Sequence, residues 1–182
     1  LINFTQIGGQ IGLDSKTVQK YVALLENLFL VKRLYPWHKN TLNRMVKTPK
    51  LHFMDSGLLA ALNKVTAERI QQNNTLIGPL LETWVFTEIL KSITASKMPW
   101  DIYFYRDKDK YEVDFVLENY EGRVMGIEVK ASSTISHHDF AGLKKLSQLL
   151  AQHWHCGIVL YAGTQVLPFG KNLWAIPFSY LD

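Results

Sequence analysis

Two short runs, Tyr111-Glu112-Val113-Asp114-Phe115-Val116 and Gly126-Ile127-Glu128-Val129-Lys130-Ala131, decide how this chain is read. Along the first, Tyr111, Val113, Phe115 and Leu117 alternate with Glu112, Asp114, Val116 and Glu118, the period of a strand, which puts Asp114 on the more polar face. Along the second, Met125, Ile127 and Val129 line one face while Glu128 and Lys130 share the other. The connection Asn119-Tyr120-Glu121-Gly122-Arg123 has the length and the glycine of a hairpin loop. If Glu118 pairs with Val124, Asp114 stands opposite Glu128, with Cβ atoms about 4.5 to 5.5 Å apart. Two carboxylates that close repel unless a cation lies between them. The spacing suits a hard divalent metal with oxygen ligands.

Working outward, a long helix is predicted over 77–96, with Thr83, Thr87 and Lys91 on its polar side. Glu82 shares the opposite face with Val85, Phe86 and Ile89. A carboxylate there needs a partner, a hydrogen-bond network or a metal, or else gains only from the helix dipole at that end. A strand over 102–105 ends in the charged turn 106–110. Beyond Lys130, Ser136 and Asp139 make a capping-box pattern, and Phe140, Leu143, Leu146 and Leu150 form the buried stripe of the helix it opens. A buried strand at 157–161 and the apolar segment Leu173-Trp174-Ala175-Ile176 complete the order helix, three strands, helix, strand.

The first third has a different rhythm. Phe4, Ile7 and Ile11 recur at helical spacing, and Asp14-Ser15-Lys16-Thr17 supplies capping side chains for a second helix with a stripe of Val18, Tyr21, Val22, Leu25 and Leu28. Extended segments follow at 29–31 and 33–35. Pro36 breaks the run, Leu51-His52-Phe53-Met54 returns, and Asp55-Ser56 caps a short helix over 57–62. A helix-turn-helix followed by a hairpin is a winged helix. In a DNA-reading role, Lys16, Thr17, Gln19 and Lys20 would face a groove, with Lys39, Arg44 and Lys47 in the wing. Winged helices also serve as protein-docking modules. The polar run Gln71-Gln72-Asn73-Asn74 sets the boundary between an N-terminal unit, 1–72, and a C-terminal one, 73–182.

With 182 residues, 47% hydrophobic and 20% charged, the composition is that of a globular protein, and no apolar run approaches a membrane span. A net charge of +4 and a pI near 9.1 are compatible with a polyanionic partner. The single cysteine, Cys156, lies in an apolar stretch, is expected in the core and can form no internal disulfide, which fits a reducing, cytoplasmic setting. The chain opens on Leu1 without an initiator Met or a signal peptide, as a fragment of a longer protein would. His137 and His138 are expected in an exposed first turn, and His153 and His155 have no companions for a zinc site.

The Asp114 and Glu128-Val129-Lys130 pattern resembles the PD-(D/E)XK superfamily, which includes restriction enzymes and Holliday-junction resolvases. The whole chain resembles the C-terminal region of a family of bacterial and archaeal AAA+ ATPases in which a winged helix precedes this nuclease-like fold. Matching segments are Phe53-Met54-Asp55-Ser56-Gly57-Leu58, Gly78-Pro79-Leu80-Leu81-Glu82 and Trp174-Ala175-Ile176-Pro177. The resemblance implies an α+β or α/β chain, a winged helix-turn-helix and then an αβββαβ restriction-endonuclease-like domain. It implies that Asp114, Glu128 and the Val129 carbonyl ligate Mg²⁺ or Mn²⁺, that Glu82 adds a ligand or an outer contact, and that Lys130 orients or activates the attacking water. Nucleic acid, DNA ahead of RNA, and an upstream ATPase domain are the implied partners, with no membrane and with a homo-oligomer left open. No G-x-x-x-x-G-K-[ST] run occurs, so ATP would bind only to the full-length protein. The alternative is a catalytically inactive adaptor, binding DNA or protein and regulating that ATPase.

Overall fold

The structure, a computed structural model, describes residues 1–40, 44 and 48–181. Side-chain caps open the first helices. The Asn3 carboxamide accepts the Gln6 N–H at the start of α1 (Phe4–Ile11), and Asp14 accepts the N–H groups of Lys16 and Thr17 at the start of α2 (Ser15–Asn27). Ile2, Val18 and Val22 make a small core with Phe4, Ile7 and Leu51. Strands β1 (Val31–Leu34) and β2 (Lys50–Phe53) pair antiparallel, Val31 opposite Phe53 and Leu34 opposite Lys50. Helix α3 (Ser56–Leu62) is capped by Asp55, and α4 (Ala67–Gln72), which the sequence reading did not foresee, by Thr66. The expected α2 stripe is buried only at Val18 and Val22. Tyr21, Leu25 and Leu28 are exposed, because the small core is already filled by Ile2, Phe4 and Ile7.

Helix α5 (Ile77–Ala95) leads into a mixed six-stranded sheet of order β3-β4-β5-β6-β8-β7. Strands β3 (Trp100–Arg106), β4 (Glu112–Asn119) and β5 (Val124–Lys130) form an antiparallel meander. After α6 (Ala141–Leu150), β6 (Trp154–Tyr161) runs parallel to β5, and β8 (Leu173–Pro177) runs parallel to β6. Strand β7 (Leu167–Gly170) closes the edge antiparallel to β8. Val85, Phe86 and Ile89 of α5 pack with Phe104, Phe115, Leu117, Ile127 and Leu160, while Phe140, Leu143, Leu146 and Leu150 pack with Val113, Val116, Val124 and Val159. The chain is thus a mixed α+β protein with helices on both faces of its main sheet. Thr83, expected on a polar side of α5, is buried, because this helix packs against α3 and β2 as well as the main sheet.

Contacts cross the 72/73 boundary. Leu34 of β1 lies in the same cluster as Val85 and Phe86, the Phe104 N–H donates to the Tyr35 carbonyl at 3.0 Å, and the Trp37 N–H donates to the Phe104 carbonyl at 2.6 Å. The outer edge of β3 is thereby covered by the 35–37 segment.

A bulge places the key carboxylate. Tyr103 pairs with Val116 and Tyr105 with Val113, so Asp114 and Phe115 together face Phe104. Strict alternation along β4 therefore breaks: Val113 joins Val116 in one cluster while Phe115 joins Leu117 in the other. Asp114 does not simply share a polar face with Val116 and Glu118 but sits at the bulge, a device that re-aims side chains beside functional sites. The hairpin register has Glu118 opposite Val124, as the loop length predicts, and the last pair is Phe115 with Ile127. Asp114 and Glu128 are the next positions, where the ladder stops.

The first turn of α6 presses onto β4 at Glu112: a Cβ added to Gly142 would lie 1.9 Å from the Glu112 carbonyl oxygen. Gly9 in α1 has nothing within 4 Å of such a Cβ. Gly142→Ala is expected to lower unfolding free energy in urea by about 2 kcal/mol or more through overpacking. Gly9→Ala is expected to be neutral or to stabilise by about 0.5 to 1 kcal/mol. Equal midpoints for the two variants would refute this packing.

Candidate active site

Asp114 from the bulge of β4, Glu128 and Lys130 from β5, and Glu82 from the second turn of α5 converge where β4 and β5 part. Asp114 turns its carboxylate into that opening, its Oδ2 accepting the Val129 N–H at 2.9 Å. Lys130 Nζ donates to Glu128 Oε1 at 2.9 Å. Strand β2 brings two further residues that the sequence reading missed. Lys50 Nζ lies 3.3 Å from Glu82 Oε1 and 3.7 Å from Asp114 Oδ1. His52 Nε2 lies 3.7 Å from Glu82 Oε1, and its ring stacks on Phe86 at 4.6 Å. The available signal was their spacing: two apart on a short strand, Lys50 and His52 share a face, opposite Leu51.

Burial and mutual repulsion dominate the electrostatics. The Asp114 carboxyl is pushed up by burial and then by Glu82, against the pull of Lys50, the Val129 N–H and Lys130. Glu128 is pushed up to about 7, first by burial and then by repulsion from Asp114, with Lys130 and, less strongly, the Asp114 backbone N–H opposing. Its Oε2 is buried and has no hydrogen-bond partner among the described residues. Burial pulls the Lys50 ammonium down, but Glu82 and Asp114 outweigh it and the net shift is upward. Lys130 is raised in the same way, chiefly by Glu128. His52 falls to about 4 through burial and the neighbouring Lys50, so its imidazole is neutral near pH 7.

The donor set fits a hard divalent cation between Asp114 and Glu128. Both offer carboxylate oxygens, the orphaned Glu128 Oε2 lacks the partner a cation would be, and three carboxylates face two ammonium groups. Glu82 fits less well, because its Oε1 is engaged by Lys50. Among the described residues no group of three or more His, Cys, Asp or Glu side chains is placed to hold an ion together. The Val129 carbonyl belongs to the residue whose N–H holds Asp114.

The residues expected to meet nucleic acid are dispersed. Lys16, Gln19 and Lys20 are exposed on α2, while the Thr17 hydroxyl donates to Asp14 Oδ2 at 2.7 Å, serving the cap. Lys39 is exposed, and Lys47 lies outside the described residues. Arg44 is not a solvent-facing wing cation. It is buried, its guanidinium forks onto both oxygens of Glu118, its Nε donates to the His38 carbonyl at 2.7 Å, and its plane lies over Tyr103 at 4.7 Å. A fork matched to a carboxylate at a partly buried position explains the difference. The face of α2 beyond Lys20 carries exposed Tyr21 and Leu24 and, just past its end, Leu28 and Phe29. His137 and His138 are exposed, and Cys156 is half-buried rather than a core residue. No helix among the described residues is long and apolar enough to cross a membrane.

Between its ordinary value of 4.5 and about 7, the folded protein keeps a proton on Glu128 that the unfolded chain has released, so rising pH costs stability across that window. His52, lowered from 6.5 to about 4, acts in the opposite sense. Glu128→Gln removes only the first effect. Its stability relative to wild type in EDTA is expected to rise from about pH 5 to about pH 8, read by urea unfolding. A difference independent of pH would contradict the raised Glu128.

Comparison with known proteins matches residues 77–181 to a domain of unknown function, DUF4143, and residues 1–69 to another, DUF8612. The uncharacterized proteins Mb2031c of Mycobacterium bovis and Rv2008c of Mycobacterium tuberculosis are each 25% identical over 177 residues, covering 97% of this chain. The chain spans 38% of the length of these relatives. A chain from an assembly of Thermococcus gammatolerans McrB AAA+ hexamers with bound McrC aligns over 56% of this chain and 27% of its own length, at 8% identity and a TM-score of 0.38, too low to establish a shared fold. Matched by one family over more than half its length, with the carboxylates and Lys130 inside the matched region, the chain belongs to the DUF4143 family.

Proposed function

We propose that the chain carries a PD-(D/E)XK-like centre for divalent-metal-dependent hydrolysis of phosphodiester bonds in nucleic acid, preceded by a winged helix. The observation that carries this reading is the meeting of Asp114, Glu128 and Lys130 in one opening of the sheet, with a buried Glu128 oxygen left without a partner. Asp114, Glu128 and the Val129 carbonyl would hold the ion. A bound Mg²⁺ or Mn²⁺ would lower the pKa of a water molecule and neutralise charge growing on the phosphate. The Val129 N–H holds the Asp114 carboxylate, and Lys130, partly open to solvent and paired with Glu128, would orient the attacking water. Two capped helices followed by the β1–β2 hairpin support the winged helix. Its exposed Lys16, Gln19, Lys20 and Lys39 would contact DNA phosphates.

The family resemblance of the sequence supports reading it as the C-terminal part of an AAA+ ATPase acting in the cytoplasm, and relatives much longer than this chain are compatible with such an additional domain. ATP would then bind in the remainder of that protein.

A second reading, the noncatalytic adaptor, is favoured by the exposed Tyr21, Leu24, Leu28 and Phe29. An apolar helix face suits a protein partner better than a phosphate backbone.

Calorimetric titration with Mn²⁺, paired with cleavage assays on plasmid, single-stranded and branched DNA, separates the two. Wild type is expected to bind Mn²⁺ and to cut at least one substrate, with both activities falling by about a hundredfold or more in Asp114→Asn and Glu128→Gln. No binding and no cleavage by wild type would leave the adaptor. Separately, Lys16→Ala with Lys20→Ala is expected to weaken DNA binding and to reduce the salt slope by about 2 in anisotropy titrations. Unchanged slopes would remove the winged helix from DNA contact.

A further inference from the structure

We infer that the Lys50 ammonium is a resident cation of the acidic centre, engaging Glu82 and one oxygen of Asp114, so that the centre admits one divalent ion, between Asp114 and Glu128, with Glu82 serving Lys50 instead of the metal. The inference deepens the metal-dependent reading and rests on it.

Three observations carry it. Lys50 Nζ stands 3.3 Å from Glu82 Oε1 and 3.7 Å from Asp114 Oδ1, a bridge between two carboxylates that would otherwise repel across the space a second ion needs. The side chain is held in place. It is 19% exposed, its ammonium lies 5.4 Å from the Phe104 ring centre, and its backbone is pinned opposite Leu34 in the β1–β2 pair. A tethered ammonium that close to Glu82 and Asp114 would repel any divalent ion approaching from the same side, and burial strengthens the repulsion by lowering the local dielectric.

The third observation is His52, two residues along β2. Its side chain is more than nine-tenths buried, and its Nε2 points at Glu82 from 3.7 Å with no hydrogen-bond partner among the described residues. Glu82 and His52 would be serviceable ligands if the space beside them were free of positive charge. Lys50 instead puts its positive charge there. The oxygen left without a partner belongs instead to Glu128, on the far side of Asp114 from Lys50 in the chain of contacts. That is where an ion is still wanted.

The cation also comes from a different part of the chain. Lys50 lies within the region matched to DUF8612, whereas the carboxylates lie within the region matched to DUF4143. The acidic centre is electrostatically complete only when the N-terminal hairpin is docked.

The test has two arms on the full chain. In the first, Mn²⁺ is titrated calorimetrically. Glu82→Gln is expected to weaken binding by less than about threefold and Glu128→Gln by about a hundredfold or more. Lys50→Met is expected to bind about tenfold more tightly, a gain lost in Lys50→Met with Glu82→Gln. In the second arm, thermal melting is followed in EDTA, where Lys50→Met is expected to melt lower and adding Glu82→Gln to recover at least about half of the loss.

The inference is overturned if Glu82→Gln weakens Mn²⁺ binding as much as Glu128→Gln does. It is also overturned if the double variant melts no higher than Lys50→Met, which would make Lys50 a packing residue. If wild type and every variant bind no Mn²⁺, the metal-dependent reading fails. Recovery by the double variant would then still establish Lys50 as the cation of the carboxylates, and no recovery would refute it.

Discussion

Everything in this structure that bears on chemistry depends on keeping like charges together in a largely buried opening of the sheet. Asp114 and Glu128 stand where the β4–β5 ladder gives out, with Glu82 arriving from α5, and burial together with mutual repulsion raises both strand carboxyls. Such a group persists only where countercharge is built in. The countercharge is Lys130 on one side and Lys50 on the other, together with a backbone N–H from Val129. The bulge in β4 makes the arrangement geometrically available, because two residues facing Phe104 free Asp114 from the ladder.

The same constraint explains why the two ends of the chain behave as one body around the site. Leu34 contributes to the core beneath α5, the 35–37 segment hydrogen-bonds to the outer edge of β3, and Arg44 is locked onto Glu118. These contacts hold β2 against α5, and β2 carries Lys50 and His52 to Glu82. Apolar packing therefore positions the charge that makes the carboxylate cluster tolerable. An N-terminal unit that only tethered a separate domain would need none of these contacts.

Much of the fold was legible in the sequence. The period-two runs around Asp114 and Glu128 gave the central hairpin, and the loop from Asn119 to Arg123 gave its register, because both signals are local. The caps at Asp14, Asp55 and Ser136 were readable for the same reason. What escaped was long-range. The bulge is created by how β3 lies on β4, so strict alternation misassigned the faces of Val113 and Phe115. Lys50 and Glu82 are 32 positions apart and Arg44 and Glu118 are 74 apart, and nothing in the local pattern announces such pairs. Tyr21 and Leu28 looked like core because their spacing is helical, but burial depends on what else fills the space, and Ile2 and Phe4 had taken it. Edge strand β7 was missed because Pro168 and the glycine that ends it obscure a strand of four residues.

The central claim, that a cation is wanted between Asp114 and Glu128, is most directly tested by anomalous diffraction at the manganese edge from a crystal soaked in Mn²⁺. The account predicts one peak within coordination distance of Asp114 and the free oxygen of Glu128, with Lys50 still on Glu82. A peak shared by Glu82 in place of Lys50, or none at the opening between β4 and β5 at a saturating concentration, would contradict it.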